Sequence, residues 1–299
     1  MLVNEGYVTT ADGVRLFFQK VGDGRSTVVV PNALYLFDDF KHLAAEHTCI
    51  FYDLRNRGRS DAVIDEAKLK AGVHNDVQDL EAVRRHFALE KVSVLGHSYV
   101  GTVVALYAME YPDHVGRVVQ IGPSAPDMAK QYPPDLTNMD ATAAQVFAQL
   151  AQMANETGPS DPVEACNRLW SVLRPLYVVD RADVRKISRM GFCELANERN
   201  GMRYFQSTIM PTLQSLNIGA RDYARATLPV LIIHGTKDRN APYGGGLDWA
   251  RALPDARLVT VENAAHLPWI EAPELVFGSL NTFLGGSWPE SARKVTLDG

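Results

Sequence analysis

Six short apolar runs, each followed by a stretch of helical character, constrain the fold of this chain more than any other feature. They are Ser26–Val30 (STVVV), Thr48–Tyr52 (TCIFY), Lys91–Leu95 (KVSVL), Gly116–Ile121 (GRVVQI), Pro229–Ile233 (PVLII) and Ala256–Val261 (ARLVTV). Runs of this kind lack the polar alternation of a half-exposed strand, so they read as strands buried on both faces, and their interleaving with helices makes the sheet parallel. The first segment differs. GYVTTADGVRLFFQK alternates on either side of Asp12 and Gly13, a turn dipeptide suited to a hairpin, so an antiparallel pair is expected to precede the parallel strands. The prediction is an α/β fold with a mostly parallel eight-stranded sheet.

The intervening helices are also readable. HNDVQDLEAVRRHFALE places Val77, Leu80, Val83 and Phe87 three or four positions apart on one face and leaves Arg84 and Arg85 for solvent. Between Ile121 and Leu228 the strand signal stops for about a hundred residues, replaced by helix-like runs such as ATAAQVFAQLAQMA and VEACNRLWSVLRPLY; a structureless loop of that length has no place in a compact domain. The expected organisation is a core domain from residues 1–123 and 227–299, with a helical insertion over 124–226. The insertion reads either as a cap over a pocket or as a decoration that stabilises the sheet edge.

Charge and cysteine usage narrow the partners. The chain has 299 residues and a formal charge of −5 with acids and bases interspersed, so no basic stripe offers itself to a phosphate backbone, and a small-molecule substrate fits better than nucleic acid. No apolar stretch approaches the roughly 20 residues of a membrane span, and MLVNEGYVTTADG lacks the pattern of a secretory signal. Cys49, Cys166 and Cys193 are odd in number, far apart and without a CxxC pair, which argues against a disulfide framework and a zinc site. Each is expected to be a small buried hydrophobe in a protein of the reducing cytoplasm. Oligomeric state is open between monomer and homodimer.

The chemistry centres on LGHSYVG, Leu95 to Gly101. It lies between the KVSVL strand and the GTVVALYAMEY helix, and Ser98 there is either an ordinary helix cap or a nucleophile on a sharp strand-to-helix turn. A serine hydroxyl needs a base, and the base an orienting acid. PVLIIHGTKDRNAP presents Asp238 just past one strand, and ARLVTVENAAHLPW presents His266 just past the next, so Ser98, Asp238 and His266 all fall at the carboxyl edge of the expected sheet. Asp127, after the GRVVQI strand, is a second acid position; His97 and His234 read as packing or bracing residues.

With these residues in place the chain resembles a capped member of the α/β-hydrolase superfamily. FYDLRNRGRSD is similar to the DxRGxGxS loop of that family, ALYAMEYPDHVGRVVQIGP to its helix and strand after the nucleophile, and ENAAHLPWIEAPE to its histidine loop, with Ala265 where glycine is usual. The resemblance implies an α/β-hydrolase fold, a Ser98–Asp238–His266 triad, and an oxyanion hole from the backbone N–H of Tyr99 and, after the third strand, of Ala33. Two departures stand out: Val100 replaces the second glycine of GxSxG, and PNALY replaces the usual His-Gly of the oxyanion loop, with Asn32 able to offer its own amide.

Serine at position 98 excludes the dehalogenase and epoxide-hydrolase subgroups, which use aspartate. The expected activity is hydrolysis of carboxylic esters of small to medium molecules, with no metal or organic cofactor. MGFCELANERNGMRYFQSTIMPTL also resembles the cap of proline iminopeptidase-like hydrolases, in which acids grip a free amine; Glu194 and Glu198, one helical turn apart, would take that part. An aminopeptidase or amidase is therefore the alternative, and a non-enzymatic small-molecule receptor on the same fold a third. Tyr35 and Trp269 are further candidates for contact with substrate.

Overall fold

A computed structural model describes residues 2–156, 158, 161–187, 192–195 and 197–296. The strands are β1 (Val3–Thr9), β2 (Arg15–Val21), β3 (Thr27–Pro31), β4 (Thr48–Tyr52), β5 (Val92–His97), β6 (Val115–Ile121), β7 (Val230–Gly235) and β8 (Ala256–Val261). They form one sheet in the order β1-β2-β4-β3-β5-β6-β7-β8. β1 and β2 make the expected antiparallel hairpin, turning at Gly13 with φ 81°, and β2 lies antiparallel to β4. The pairs from β4 and β3 through to β8 are parallel. The six sequence runs all become strands, β5 and β7 running two residues further than their apolar stretches.

The helices are α1 (Ala33–Phe40), α2 (Val73–His86), α3 (Tyr99–Glu110), α4 (Pro134–Thr137), α5 (Ala141–Ala154), α6 (Pro162–Leu173), α7 (Glu198–Tyr204), α8 (Met210–Gln214), α9 (Ala220–Tyr223), α10 (Tyr243–Ala252), α11 (Pro268–Glu271) and α12 (Pro273–Leu284). Both faces of the sheet are covered, which explains the unbroken apolar strands. Along the central strands alternate residues part into two cores: Val94, Val118, Ile232 and Leu258 meet α2, α3 and α10, while Leu95, Val119, Leu231 and Val259 meet α1 and α12. Each such side chain contributes about 1.5–3 kcal/mol on burial. On α2 the predicted face is the buried one, through Val77, Leu80 and Val83. Arg84, expected in solvent, folds back to a bidentate pair with Glu81 and a bond to the Leu89 carbonyl.

Among the described residues the stretch between β6 and β7 holds helices and no strand, and its two halves pack differently. α5 and α6 contribute to two small clusters, one of Ala143, Val146 and Leu176 and one around Cys193 and Leu34. Tyr204, Ile209 and Leu213, at the end of α7, in the π turn Phe205–Ile209 and on α8, join the main core beside α2. The cysteine expectation is corrected here. Cys166 on α6 and Cys193 form a disulfide across 27 positions, and only Cys49 remains as a free, buried thiol among the described residues. The two partners lie on separate elements brought together by the turn of the chain, so no local spacing marks them, and cysteine usage does not argue for a reducing compartment. Among the described residues no helix is long and apolar enough to cross a membrane.

Candidate active site

β5 ends at His97, and the chain turns through Ser98 at φ 59° and ψ −133° before α3 begins at Tyr99. A non-glycine residue held there stores about 1–3 kcal/mol of backbone strain. The turn is fastened by the Ser98 N–H, which donates to the Ile121 carbonyl at 3.0 Å, and by the Gly101 N–H, which donates to the Ser98 carbonyl at 2.9 Å. The Ser98 side chain makes no capping hydrogen bond to α3, so the helix-cap reading of this serine is excluded.

The turn also explains Val100. A Cβ on Gly96 would lie 2.3 Å from the Val100 carbonyl oxygen, and one on Gly101 would lie 3.0 Å from Pro123 Cβ. The close approach runs through the backbone of residue 100, not its side chain, which is buried in the core. Glycine is needed at 96 and not at 100. Gly96→Ala is therefore expected to cost more than about 2 kcal/mol, whereas Val100→Gly loses about 3 kcal/mol of helix propensity and packing without raising activity. Urea unfolding and ester turnover of the two variants check both halves.

Next to β5 at the same carboxyl edge, β6 leads into Gly122, where a Cβ would lie 3.1 Å from Asp238 Oδ2 and 3.2 Å from His266 Nδ1. Asp238, just past β7, and His266, past β8, are both buried and meet with His266 Nδ1 2.7 Å from Asp238 Oδ2. Asp238 Oδ1 accepts the N–H groups of Asn240 and Ala241, both at 2.8 Å. On the other oxygen a histidine that sequence reasoning treated only as a brace, His234, brings its Nε2 within 3.2 Å of Oδ2 and 3.1 Å of the Ala241 carbonyl. Burial alone would raise the Asp238 carboxyl, but the charge of His266 and the hydrogen bonds from His234 and His266 hold it well below the usual carboxylate range. An ionised Asp238 only accepts, so His266 Nδ1 carries a proton toward it, and Nε2 is the ring nitrogen not engaged by the carboxylate. Asp127, the other acid position, instead accepts the N–H of Ala129 at 2.9 Å.

Two helix N-termini open at this edge. α3 follows β5 and starts at Tyr99; α1 follows β3, the parallel neighbour of β5, and starts at Ala33. First-turn N–H groups, those of Tyr99 and Ala33 among them, have no acceptor within their own helix. Asn32 caps α1 in the left-handed region at φ 72°, a conformation asparagine tolerates, and its Oδ1 is buried without a hydrogen-bond partner among the described residues.

The remaining candidates divide. Glu194 and Glu198 do not share a helix face, because Glu194 ends a separate 3₁₀ turn, Phe192–Glu194, and is exposed, while Glu198 opens α7 and is only 1 % exposed. One oxygen of Glu198 is engaged within the protein, while Oε2 is buried with no hydrogen-bond partner among the described residues. Its Oε1 accepts Arg57 Nη2 at 2.7 Å and the Tyr35 hydroxyl at 2.6 Å, and the same Arg57 nitrogen donates to the Tyr35 oxygen at 2.9 Å. Arg57, which the sequence reading passed over, is thus the ion-pair partner of Glu198. Removing one member of a buried pair leaves the other uncompensated, so Arg57→Met is expected to cost about 3–5 kcal/mol in urea unfolding, most of it recovered by Arg57→Met with Glu198→Leu. Trp269 is likewise corrected: it is buried, donates Nε1–H to Asp39 Oδ2 at 2.9 Å, and packs on Phe40 and His97 behind the site. Tyr177, missed in the sequence, sets its ring edge-on to His266 at 5.4 Å and accepts the Leu267 N–H at its carbonyl.

Comparison with known proteins adds to this geometry. A family model described as alpha/beta hydrolase fold matches residues 31–273. The chain is 24 % identical over 298 residues to a proline iminopeptidase of Heyndrickxia coagulans, covering 95 % of this chain and 99 % of the relative. It is 26 % identical over 283 residues to a bifunctional esterase/perhydrolase of Acinetobacter calcoaceticus, covering 89 % and 95 %. Among solved structures it is similar to a 2-hydroxy-6-oxo-6-phenylhexa-2,4-dienoate hydrolase of Rhodococcus, with a TM-score of 0.71, 21 % identity, and 95 % and 99 % of the two chains covered. An esterase of Exiguobacterium antarcticum superposes with a TM-score of 0.72 at 17 % identity, covering 95 % and 100 %. At these identities the structural likeness speaks for the fold alone.

Proposed function

Because the chain belongs to the alpha/beta hydrolase fold family, we propose that it cleaves carboxylic esters of small to medium molecules through an acyl-enzyme on Ser98. The observation that carries this reading is the Asp238–His266 contact, 2.7 Å long, which engages Nδ1 and leaves Nε2 to act on Ser98 at the sheet edge where that serine sits on its strained turn. Ser98 Oγ attacks the acyl carbonyl while His266 Nε2 takes its proton. The carbonyl oxygen, now an anion, is held by the N–H groups of Tyr99 and Ala33, where one such donor is worth about 10²–10³ in rate. His266 passes the proton to the leaving alcohol as the tetrahedral adduct collapses to the acyl-enzyme. Water then enters, gives its proton to Nε2, and releases the acid with Ser98 restored.

The likeness to a proline iminopeptidase favours a second reading, cleavage of an amide next to a free amino terminus. It is the weaker one, since Oε1 of Glu198, the acid that would hold the amine, is already bound to Arg57 and Tyr35, which leaves only the buried Oε2, and Glu194 is exposed on a separate turn. The helices over 124–226 are read as a cap, with Tyr177 beside His266 and Glu198 tied to Arg57 as their links to the site. Turnover of p-nitrophenyl esters of graded acyl length against a prolyl arylamide separates the two reactions. Cleavage of the esters alone is expected; cleavage of the arylamide alone would overturn the ester reading.

A further inference from the structure

The histidine beside the nucleophile has no step in this chemistry. His97 closes β5, is covalently joined to Ser98, and is buried. Its Nε2 lies 2.9 Å from the backbone carbonyl oxygen of His266, a contact between residues 169 positions apart. A carbonyl oxygen only accepts, so the proton of the ring is on Nε2. The ring is also wedged in place. Its centroid is 4.5 Å from that of His266 and 4.9 Å from that of Trp269, which meets it at 85°. Trp269 is held in turn by its bond to Asp39 and by the ring of Phe40.

We propose that His97 is a positioning residue: its Nε2–H ties the nucleophile turn to the loop of the base, so that one side chain sets the separation and angle between Ser98 and His266. The inference rests on Ser98 and His266 being nucleophile and base. Those two groups sit beyond different strands, β5 and β8, which are separated in the sheet by β6 and β7. Cα atoms of neighbouring residues are about 3.8 Å apart, so fastening residue 97 to the backbone of residue 266 limits residue 98 to a short arc around the imidazole. A misplacement of about 1 Å between reacting groups costs on the order of 10²-fold in rate. Burial, helped by the neighbouring charge of His266, pushes His97 down to about 3, with its bond to the His266 carbonyl and the charge of Asp238 acting the other way. The ring therefore stays neutral at the pH of catalysis.

Two substitutions separate positioning from packing. His97→Phe keeps the volume and the aromatic edge against Trp269 but has no N–H; His97→Gln loses the ring and keeps a donor at similar reach. Measured on p-nitrophenyl acetate, and as the rate of labelling by a fluorophosphonate, His97→Phe is expected to lower kcat and labelling by about 30- to 100-fold with KM within about twofold, and His97→Gln to stay within about fivefold of the parent. The reverse order, Phe the better tolerated, overturns the proposal. Nitrogen NMR of the unaltered protein gives a reading that needs no variant to fold: a neutral ring protonated on Nε2 from about pH 5 to 8 is expected, and protonation on Nδ1 overturns it. A parent protein that does not label overturns the nucleophile reading and this inference with it. A parent that labels, with a Phe variant that labels as fast, overturns this inference alone.

Discussion

Ser98→Ala is expected to lower kcat/KM for p-nitrophenyl acetate by about 10⁴- to 10⁶-fold and to abolish labelling by a fluorophosphonate, with the fold unchanged. The loss is this large because the Asp238–His266 pair has no other use: with no hydroxyl at position 98, Nε2 has no proton to take and no bond to the acyl carbon forms. Stability should change little, since the serine hydroxyl makes no capping bond to α3 and the turn is held by backbone hydrogen bonds of Ser98 and Gly101. The same experiment separates an enzyme from a receptor that kept the fold. A parent protein that takes up no label, and an alanine variant that turns over ester at the parent rate, would each remove Ser98 from the chemistry.

Asp238→Asn is expected to lower kcat by about 10³- to 10⁴-fold while leaving KM near its parent value. Here the structure dictates which way the amide must lie. Two backbone N–H groups, from Asn240 and Ala241, point at Oδ1, so the oxygen of the asparagine stays there and its NH₂ replaces Oδ2. That NH₂ faces His266 Nδ1 and the Nε2–H of His234. His266 can then only accept at Nδ1, which moves its proton to Nε2 and leaves no base for Ser98. The donor of His234 is opposed by another donor, so a measurable loss of stability accompanies the loss of rate. A variant that retains more than about a tenth of the parent kcat would show that Asp238 does not control the tautomer.

The parts of this molecule that were legible in the sequence are those governed by local period and chain order. Strands such as Val28–Val30 and Val230–Ile233 are apolar on both faces because helices cover both, and that leaves an unbroken run any reader can find. The site was legible for a related reason: parallel strands deliver their C-terminal loops to one edge, so Ser98, Asp238 and His266 needed only to follow three strands in the right order. In the loop after β4, read as a family motif, the residues turn out to brace each other. Asp53 holds Arg59, Arg55 holds Asp79 and Asp12, and Asn56 takes φ 62° at the position where the motif has glycine. What stayed hidden are contacts made across great chain separation by residues with ordinary neighbours. Arg57 and Glu198 are 141 positions apart, and a glutamate four residues from another looked like a helix face because nothing local announces a partner from the opposite side of the molecule. Trp269, a candidate for contact with substrate, sits in the histidine loop, and its indole N–H is committed to Asp39.

The bond between Cys166 and Cys193 joins α6 to the segment just ahead of Glu198, and it packs against Leu34 and Tyr35, which directly follow Ala33, the residue whose N–H we propose as an oxyanion donor. A preparation kept in dithiothreitol is thus a different covalent species, next to its own reaction centre, from one purified in air. Rates from the two belong in separate columns, and a host that folds the chain in an oxidising compartment delivers a different reagent from one that does not.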